Sequence, residues 1–433
     1  MTPSRREFLA FSAAPWITAS LSPRAGEILT SAVRSAGARS AASLASDEDF
    51  WFQVQNAFSV DRSIINFNNG GCCPSPTVAI ESYKRHVDFS NHAPTKHMWG
   101  YLGPHLETTR ERIARDIGCD PEELALTRNA SESLEIVQFG LPLKAGDEVV
   151  TTNHDYPNMM NSWKQRAKRD GIVLKIAQYT PPATHDQLYE LIVKQVTDKT
   201  RVIHISHITF TTGQIFPVRR ICEFGRSRGI EVIVDGAHAY GQFTYKLPEL
   251  KCDYYGVSLH KWMLAPIGVG ILYVAKSKIS NLWPLFGHPE PASADIRKFE
   301  TYGTHPFAPK LAANEALVFQ QTIGQERKSA RLRYLREKWT SRVRGHENVL
   351  LYTSDAPETS AAIGTVGIRK NGELLDPGKI AEHLFTKHRI VTTPILLDEV
   401  KCLRITPNIY TTIEEVEMLA TALANVASNG LNH

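Results

Sequence analysis

The feature that most constrains this chain is an alternation of short apolar runs with amphipathic stretches between residues 123 and 238. ELALT (123–127), EVVTT (148–152), IVLKIAQY (172–179), RVIHISHI (201–208) and EVIVDGAH (231–238) read as strands. Between them, SESLEIVQFGL, MMNSWKQRAKRDG, HDQLYELIVKQV and VRRICEFGRSRG read as helices. Near-continuous Val and Ile runs suit strands buried on both faces, and parallel strands need a crossover helix between them. The pattern predicts an α/β fold: a large domain with a mostly parallel sheet sandwiched by helices. Ligands of such sheets gather at the carboxyl ends of the strands.

After Gly303 the pattern changes. A long helical stretch (309–343) leads into shorter strand-like and helical pieces that end in EEVEMLATALANVA. We therefore expect a large domain over 65–305 and a smaller C-terminal α/β domain over 306–428, with residues 47–64 packing on the latter. A chain of 433 residues can support two cores. Its net charge of +4 is too slight to point to nucleic acid, and no apolar run approaches the roughly 20 residues of a spanning helix.

The N-terminus departs from this average. Arg5-Arg6 precede a mildly apolar run from Ala10 to Leu21, the layout of a secretory signal and in particular of a twin-arginine one. Residues 1–46 are thus expected to be an export signal, with a small-residue cleavage site possible at Ala36-Gly37-Ala38, followed by a disordered linker rich in Ala, Ser and Gly. The protein would then be periplasmic or secreted; otherwise it is cytoplasmic. The six cysteines show no metal-binding spacing and read as free thiols.

The chemistry sits at strand ends. EVIVD closes on Asp235, followed by His238, and the next strand leads into SLHKW with Lys261. A buried carboxylate and a buried amine in one crevice form either a salt bridge or the pair that holds pyridoxal phosphate (PLP), lysine on the aldehyde and aspartate on the ring nitrogen. TRNASE places Asn129, Ala130 and Ser131 at a helix start, which is an N-cap or an anion site. Ser258 and His260 stand ready to donate to the same anion. His204 and His207 on HISH point to opposite faces, so they make no metal pair.

Taken together, EVIVDGAHAYGQ, SLHKW, the NNGG stretch and CLRITPNIYTT resemble the class V aminotransferase-related branch of fold-type I PLP enzymes. That group holds cysteine desulfurases and isopenicillin N epimerase-like proteins, and the likeness spans roughly residues 65–425. The resemblance implies that Lys261 binds the cofactor covalently and shuttles the Cα proton, that Asp235 keeps the ring nitrogen protonated, and that His238 lies near the phenolic oxygen. It assigns the phosphate to Ala130, Ser131, Ser258 and His260, and the substrate carboxylate to Arg404. Thr304 matches a threonine that reaches the phosphate of a neighbouring subunit, which implies a homodimer. Tyr156 takes the place of the residue stacked on the ring, with His154 as a rival. The NNGG loop, with Asn69 as a substrate-binding residue, is either a glycine turn or a segment that closes on the substrate.

One departure bears on the reaction. Desulfurases of this group carry a nucleophilic cysteine ahead of the carboxylate-binding arginine, and RIVTTPILLDEV has none. Sulfur transfer through a persulfide is disfavoured, and C–S lyase chemistry stays open. The expected activity is epimerase- or aminotransferase-type chemistry at the Cα of a small amino-acid-like substrate, with Tyr156 the one candidate for a second acid/base. A non-enzymatic scaffold is the other alternative, and the joint presence of Lys261, Asp235, His238 and Arg404 argues against it.

Overall fold

The computed structural model describes residues 23–397 and 400–431. Arg5-Arg6 and the run to Leu21 lie outside the described residues. The large domain is built on seven strands: β1 (Leu124–Thr127), β2 (Glu148–Thr152), β3 (Val173–Ala177), β4 (Thr200–Ser206), β5 (Glu231–Asp235), β6 (Tyr254–Ser258) and β7 (Gly270–Val274). Their order is β1-β7-β6-β5-β4-β2-β3, and only β7 runs against its neighbours. The Val and Ile runs of the inner strands are fully buried, Val202, Ile203, Val232, Ile233 and Val234 among them, while the edge strand β3 is only partly covered and leaves Val173 exposed. With helices on both faces, these side chains have no solvent to meet.

The smaller domain carries β8 (Val349–Leu351), β9 (Gly364–Lys370), β10 (Glu373–Leu374), β11 (Thr393–Leu396) and β12 (Lys401–Ile405) in one antiparallel sheet. The helices Gln325–Val343 and Ile413–Asn429 pack over it through Leu335, Trp339, Leu419 and Leu423. The short strand Ile65–Asn66 pairs in parallel with Ile390–Val391, so a segment from the start of the chain is tied to this domain.

Two expectations about boundaries need correction. The stretch expected to be a disordered linker up to residue 46 contains helices Pro23–Ala36 and Ala41–Ala45, which bury Leu29, Ala36 and Leu44 in a shared apolar cluster. Alanine is the best helix former, and a few well-spaced leucines gave these helices a face to bury. The helix Ala308–Ile323 belongs to the large domain, since Leu311, Ala316 and Leu317 share a core with Ile113 and Val257. The break therefore falls near Gly324 rather than at 306. The helix Glu48–Gln55 sits at the junction, with Phe50, Trp51 and Val54 packed among Phe319, Ile363 and Ile409 from both domains.

Candidate active site

A cavity of about 420 Å³ opens at the carboxyl ends of β4, β5 and β6, where Ser206, Asp235 and Ser258 are the terminal residues. This volume lies in the range of small-molecule sites. Parallel strands deliver these three side chains to one edge because each chain segment leaves its strand on the same side of the sheet.

Asp235 is buried, and its Oδ1 accepts from the Ala237 N–H at 2.9 Å. Burial pushes its carboxyl up to about 6, against the backbone bond and the Lys261 charge that favour ionisation; Asp155 adds to the upward push. The turn after Asp235 requires Gly236, because a Cβ there would lie 2.0 Å from the Tyr255 ring.

Lys261 follows β6 and faces the same cavity. Burial lowers its amine to about 8, with Asp235 opposing and Arg404 reinforcing the shift. Its Nζ is 3.2 Å from His238 Nε2, while the Trp262 indole N–H donates to His238 Nδ1 at 3.3 Å. Burial holds His238 neutral, with its pKa well below the usual value. With Nδ1 accepting from Trp262, the ring proton is assigned to Nε2, which can donate to Lys261 when that amine is in its neutral form. His238 is thus a neutral donor at the centre of the cavity.

Ser131, Ser258 and His260 line one end, at the start of helix Ala130–Gly140. The Ala130 N–H already donates to Ser258 Oγ at 2.9 Å, and Asn129 caps the helix by accepting from Glu132 N–H. Asn129 therefore acts as an N-cap and the Ala130 N–H is taken, although both residues line the cavity; Ser131, Ser258 and His260 line the same end. Burial, then the Lys261 charge, lowers the His260 imidazole to about 4, so it offers dipoles rather than charge.

Arg404, on β12, closes the opposite side. Its guanidinium donates to the Phe210 carbonyl at 2.9 Å, Asn68 Oδ1 at 3.0 Å and Thr393 Oγ1 at 3.3 Å. Among the described residues these acceptors are all neutral, and the buried Nε has no partner. A buried guanidinium with no compensating charge, aimed into a cavity, is set up for an anionic ligand. Burial lowers its pKa to about 10, which leaves it charged at neutral pH.

Tyr156 lines the mouth, 39% exposed, with its ring edge-on to Phe210 at 5.5 Å. Three expected residues are not in the cavity. Asn69 is fully buried and turned away: its amide donates to the Thr406 carbonyl at 2.7 Å and its Oδ1 accepts from the Tyr410 hydroxyl at 2.6 Å. Its neighbour Asn68 reaches Arg404 instead. His154 is buried against Thr211 and the Tyr179 carbonyl, so Tyr156 alone faces the site. Thr304 is exposed and lies outside the cavity of its own chain. His204 and His207 accept or share bonds with Trp163 and Tyr255 respectively, in separate surroundings.

The sequence reading missed Ser206, Phe210, Thr393 and Ile395, which all line the cavity, and Asp155, whose Oδ1 accepts from Ser206 Oγ at 2.8 Å. Ser206 was detectable as the last residue of a buried strand. Thr393 and Ile395 come from a different domain and carried no local signal.

The residues fit PLP on the structure's own evidence. A buried carboxylate of raised pKa, a depressed lysine, a hydroxyl-lined helix start and an uncompensated guanidinium occur together in one cavity. Gly70 lines that cavity beside Arg404 and His238. Residues 66–419 match the family model for aminotransferase class-V.

The chain belongs to the class-V aminotransferase family.

It is 32% identical to isopenicillin N epimerase of Streptomyces clavuligerus over 397 residues, covering 86% of this chain and 97% of that protein. It is 30% identical to the isopenicillin N epimerase of Amycolatopsis lactamdurans, over 87% and 98% of the two chains. Among solved structures it resembles the apo cysteine desulfurase of Thermococcus onnurineus, with a TM-score of 0.76 at 20% identity over 87% of this chain and 98% of that one. It resembles the cystine C–S lyase C-DES similarly, with a TM-score of 0.75 at 23% identity over 84% and 98%. The fold is that of the fold-type I PLP enzymes, and this class-V protein is a PLP-dependent enzyme.

Proposed function

We propose that this enzyme moves the Cα proton of a small amino-acid-like substrate, in epimerase- or aminotransferase-type chemistry of the isopenicillin N epimerase-like group. The observation that carries the reading is the joint placement of Lys261, His238, Asp235 and Arg404 around one cavity, with Arg404 facing only neutral acceptors. Bound through its aldehyde, PLP supplies an electron sink that weakens the bonds at the substrate's Cα. Asp235 holds a proton at the ring nitrogen. Ser131, Ser258 and His260 hold the phosphate. Arg404 binds the substrate carboxylate in a fork, oriented by Asn68 and Thr393. Lys261 would remove the Cα proton, a task matched by an amine whose pKa burial has lowered to about 8. His238 donates its Nε2 proton toward the ring's oxygen. Tyr156, at the cavity mouth, would cover the open face of the ring and is the candidate donor for proton return on the opposite side of Cα.

C–S lyase action is the second reading. A desulfurase reading is weaker: no cysteine lines the cavity among the described residues, and Cys402 is buried with its thiol pushed up to about 12. Incubation with L-amino acids in heavy water separates these outcomes. Deuterium at Cα with racemisation marks an epimerase, oxo-acid exchange a transaminase, and release of ammonia with pyruvate a lyase. No deuterium and no product with any of them would overturn the proposal.

The protein is further proposed to be a homodimer in which Thr304 reaches the partner's phosphate site. Support comes from Thr304 standing exposed beside a ladder of rings, Phe286, Tyr302, His305 and Phe307. Sedimentation as a monomer would refute it. Export through the twin-arginine signal is proposed on the Arg5-Arg6 pattern. Cell fractionation should show that Arg5-Arg6→Lys-Lys abolishes export; unchanged export contradicts the reading.

A further inference from the structure

Lys261 does not hold its position alone. The turn that carries it is tight: the Leu264 N–H donates to the Lys261 carbonyl at 3.3 Å, and Ala265 N–H to the Leu259 carbonyl at 3.0 Å. Leu264 has a φ of 62°, in the left-handed region that a leucine side chain disfavours. Such a conformation persists only where the surroundings over-determine it.

Those surroundings are specific. The peptide carbonyls on either side of Lys261 are each held by a donor from elsewhere. On one side, Cys73 N–H donates to the His260 carbonyl at 2.9 Å. On the other, the Lys328 ammonium donates to the Trp262 carbonyl and to Gln320 Oε1 at 2.6 Å, while Gln320 Nε2 donates to the same carbonyl at 3.2 Å.

Lys328 is fully buried on helix Gln325–Val343. Among the described residues both its acceptors are neutral, so no carboxylate offsets the cost of its charge. Burial lowers its amine to about 7, and among the described residues the Cys73 thiol is the one titratable group that opposes this. An apolar residue would fill this volume without that cost. What the Lys328 amino group supplies, charged or neutral, is a donor to the Trp262 carbonyl, one residue past Lys261. The same helix runs on into the core of the smaller domain through Leu335 and Trp339.

We propose that Lys328 is a positioning residue for Lys261: by holding the Trp262 carbonyl it fixes the turn that aims the Lys261 amine into the cavity, and it ties that turn to the helix joining the two domains. The inference rests on Lys261 being the lysine that binds the cofactor.

The test uses the full chain freed of cofactor and then mixed with PLP. Three quantities are read: the rate at which PLP becomes fixed to Lys261 by borohydride, located by peptide mass; the pH at which the colour of the bound cofactor changes; and the melting temperature. Lys328→Met is expected to bind PLP but to attach it roughly 10- to 100-fold more slowly, the cost of a small misplacement of a reacting group. The colour change should move by about one pH unit. Lys328→Arg, which keeps a charged donor, should recover most of both. Attachment at the wild-type rate with an unmoved colour change in Lys328→Met, whatever its melting temperature, overturns the proposal. If Lys328→Met does not fold, Lys328→Arg decides by the same two readings, and failure of both variants to fold assigns Lys328 to stability alone and also overturns it. A wild-type protein that fixes no PLP at Lys261 would instead sink the underlying assignment.

Discussion

On one wall of the cavity, Asp235 and Ser258 end neighbouring parallel strands and Lys261 follows in the next turn. On the other wall, Arg404 is oriented by Asn68, 336 positions away in the chain, and by Thr393 across an antiparallel pair. The first wall comes from the topology of one sheet. The second exists only when the Ile65–Asn66 strand has paired with Ile390–Val391 and Asn68 has bridged to Thr406. The walls also differ electrostatically. Asp235 and Lys261 stabilise each other's charges, whereas Arg404 faces neutral acceptors and keeps its charge for a ligand. The difference suggests a division of labour: the sheet wall does the chemistry, and the assembled wall recognises the substrate.

The largest effect is expected from breaking the sheet wall. Asp235→Asn should lower the rate of Cα hydrogen exchange in heavy water by about 10²–10⁴-fold, the usual span for a lost proton-holding group. PLP should still attach to Lys261. Exchange within threefold of wild type would show that the sheet wall is not where the chemistry is set.

Arg404→Met should damage recognition instead. Losing charge-assisted bonds to a carboxylate costs about 1.5–3 kcal/mol, roughly a 10- to 150-fold fall in kcat/KM. The loss should appear mainly in KM, with PLP uptake unchanged. A fall confined to kcat, or loss of cofactor, would erase the proposed division between the walls.

The two walls were unequally legible in the sequence, for a physical reason. Buried parallel strands announce themselves by Val and Ile runs, and whatever polar residue ends them must lie at the carboxyl edge. Asp235, Ser258 and Lys261 could therefore be placed on one crevice from strand order. The assembled wall depends on register between distant segments. Asn68 bridges Thr406 and Asn69 lies in the turn that follows, so which of the two meets Arg404 is decided by pairing with a distant segment. Nothing local in the sequence distinguishes the two. Arg404 was found only through its resemblance to a family motif, and Thr393 and Ile395 carried no signal. Gly324, not residue 306, divides the domains, because Leu311, Ala316 and Leu317 pack in the large-domain core, a partnership that the helix's own sequence does not disclose.

A smaller effect is expected at the anion end. Ser258→Ala removes a hydroxyl that lines the cavity, and should weaken PLP retention by about 1 kcal/mol, roughly fivefold on dialysis. Retention equal to wild type would shift the phosphate site away from the end of β6.

The smallest effect concerns stability without cofactor. The Lys261 amine titrates near 8 when folded against an ordinary 10.5, so between these values only the unfolded chain holds its proton. Stability should rise through that window as pH climbs. Asp235 acts in the opposite sense at lower pH: between 3.8 and about 6 only the folded state holds its proton, so stability falls as pH rises. Cofactor-free Lys261→Met should therefore melt above wild type at pH 7, with the gap closing toward pH 10. A gap that stays constant with pH would mean the amine is not buried in the empty site.

The central claim is that Lys261 binds PLP covalently at the meeting of these two walls. Purified protein mixed with PLP, reduced with borohydride and digested should carry the cofactor on the peptide containing Ser258 to Trp262, at Lys261, and Lys261→Ala should carry none there. Cofactor fixed on another lysine, or equal labelling in Lys261→Ala, would contradict the account.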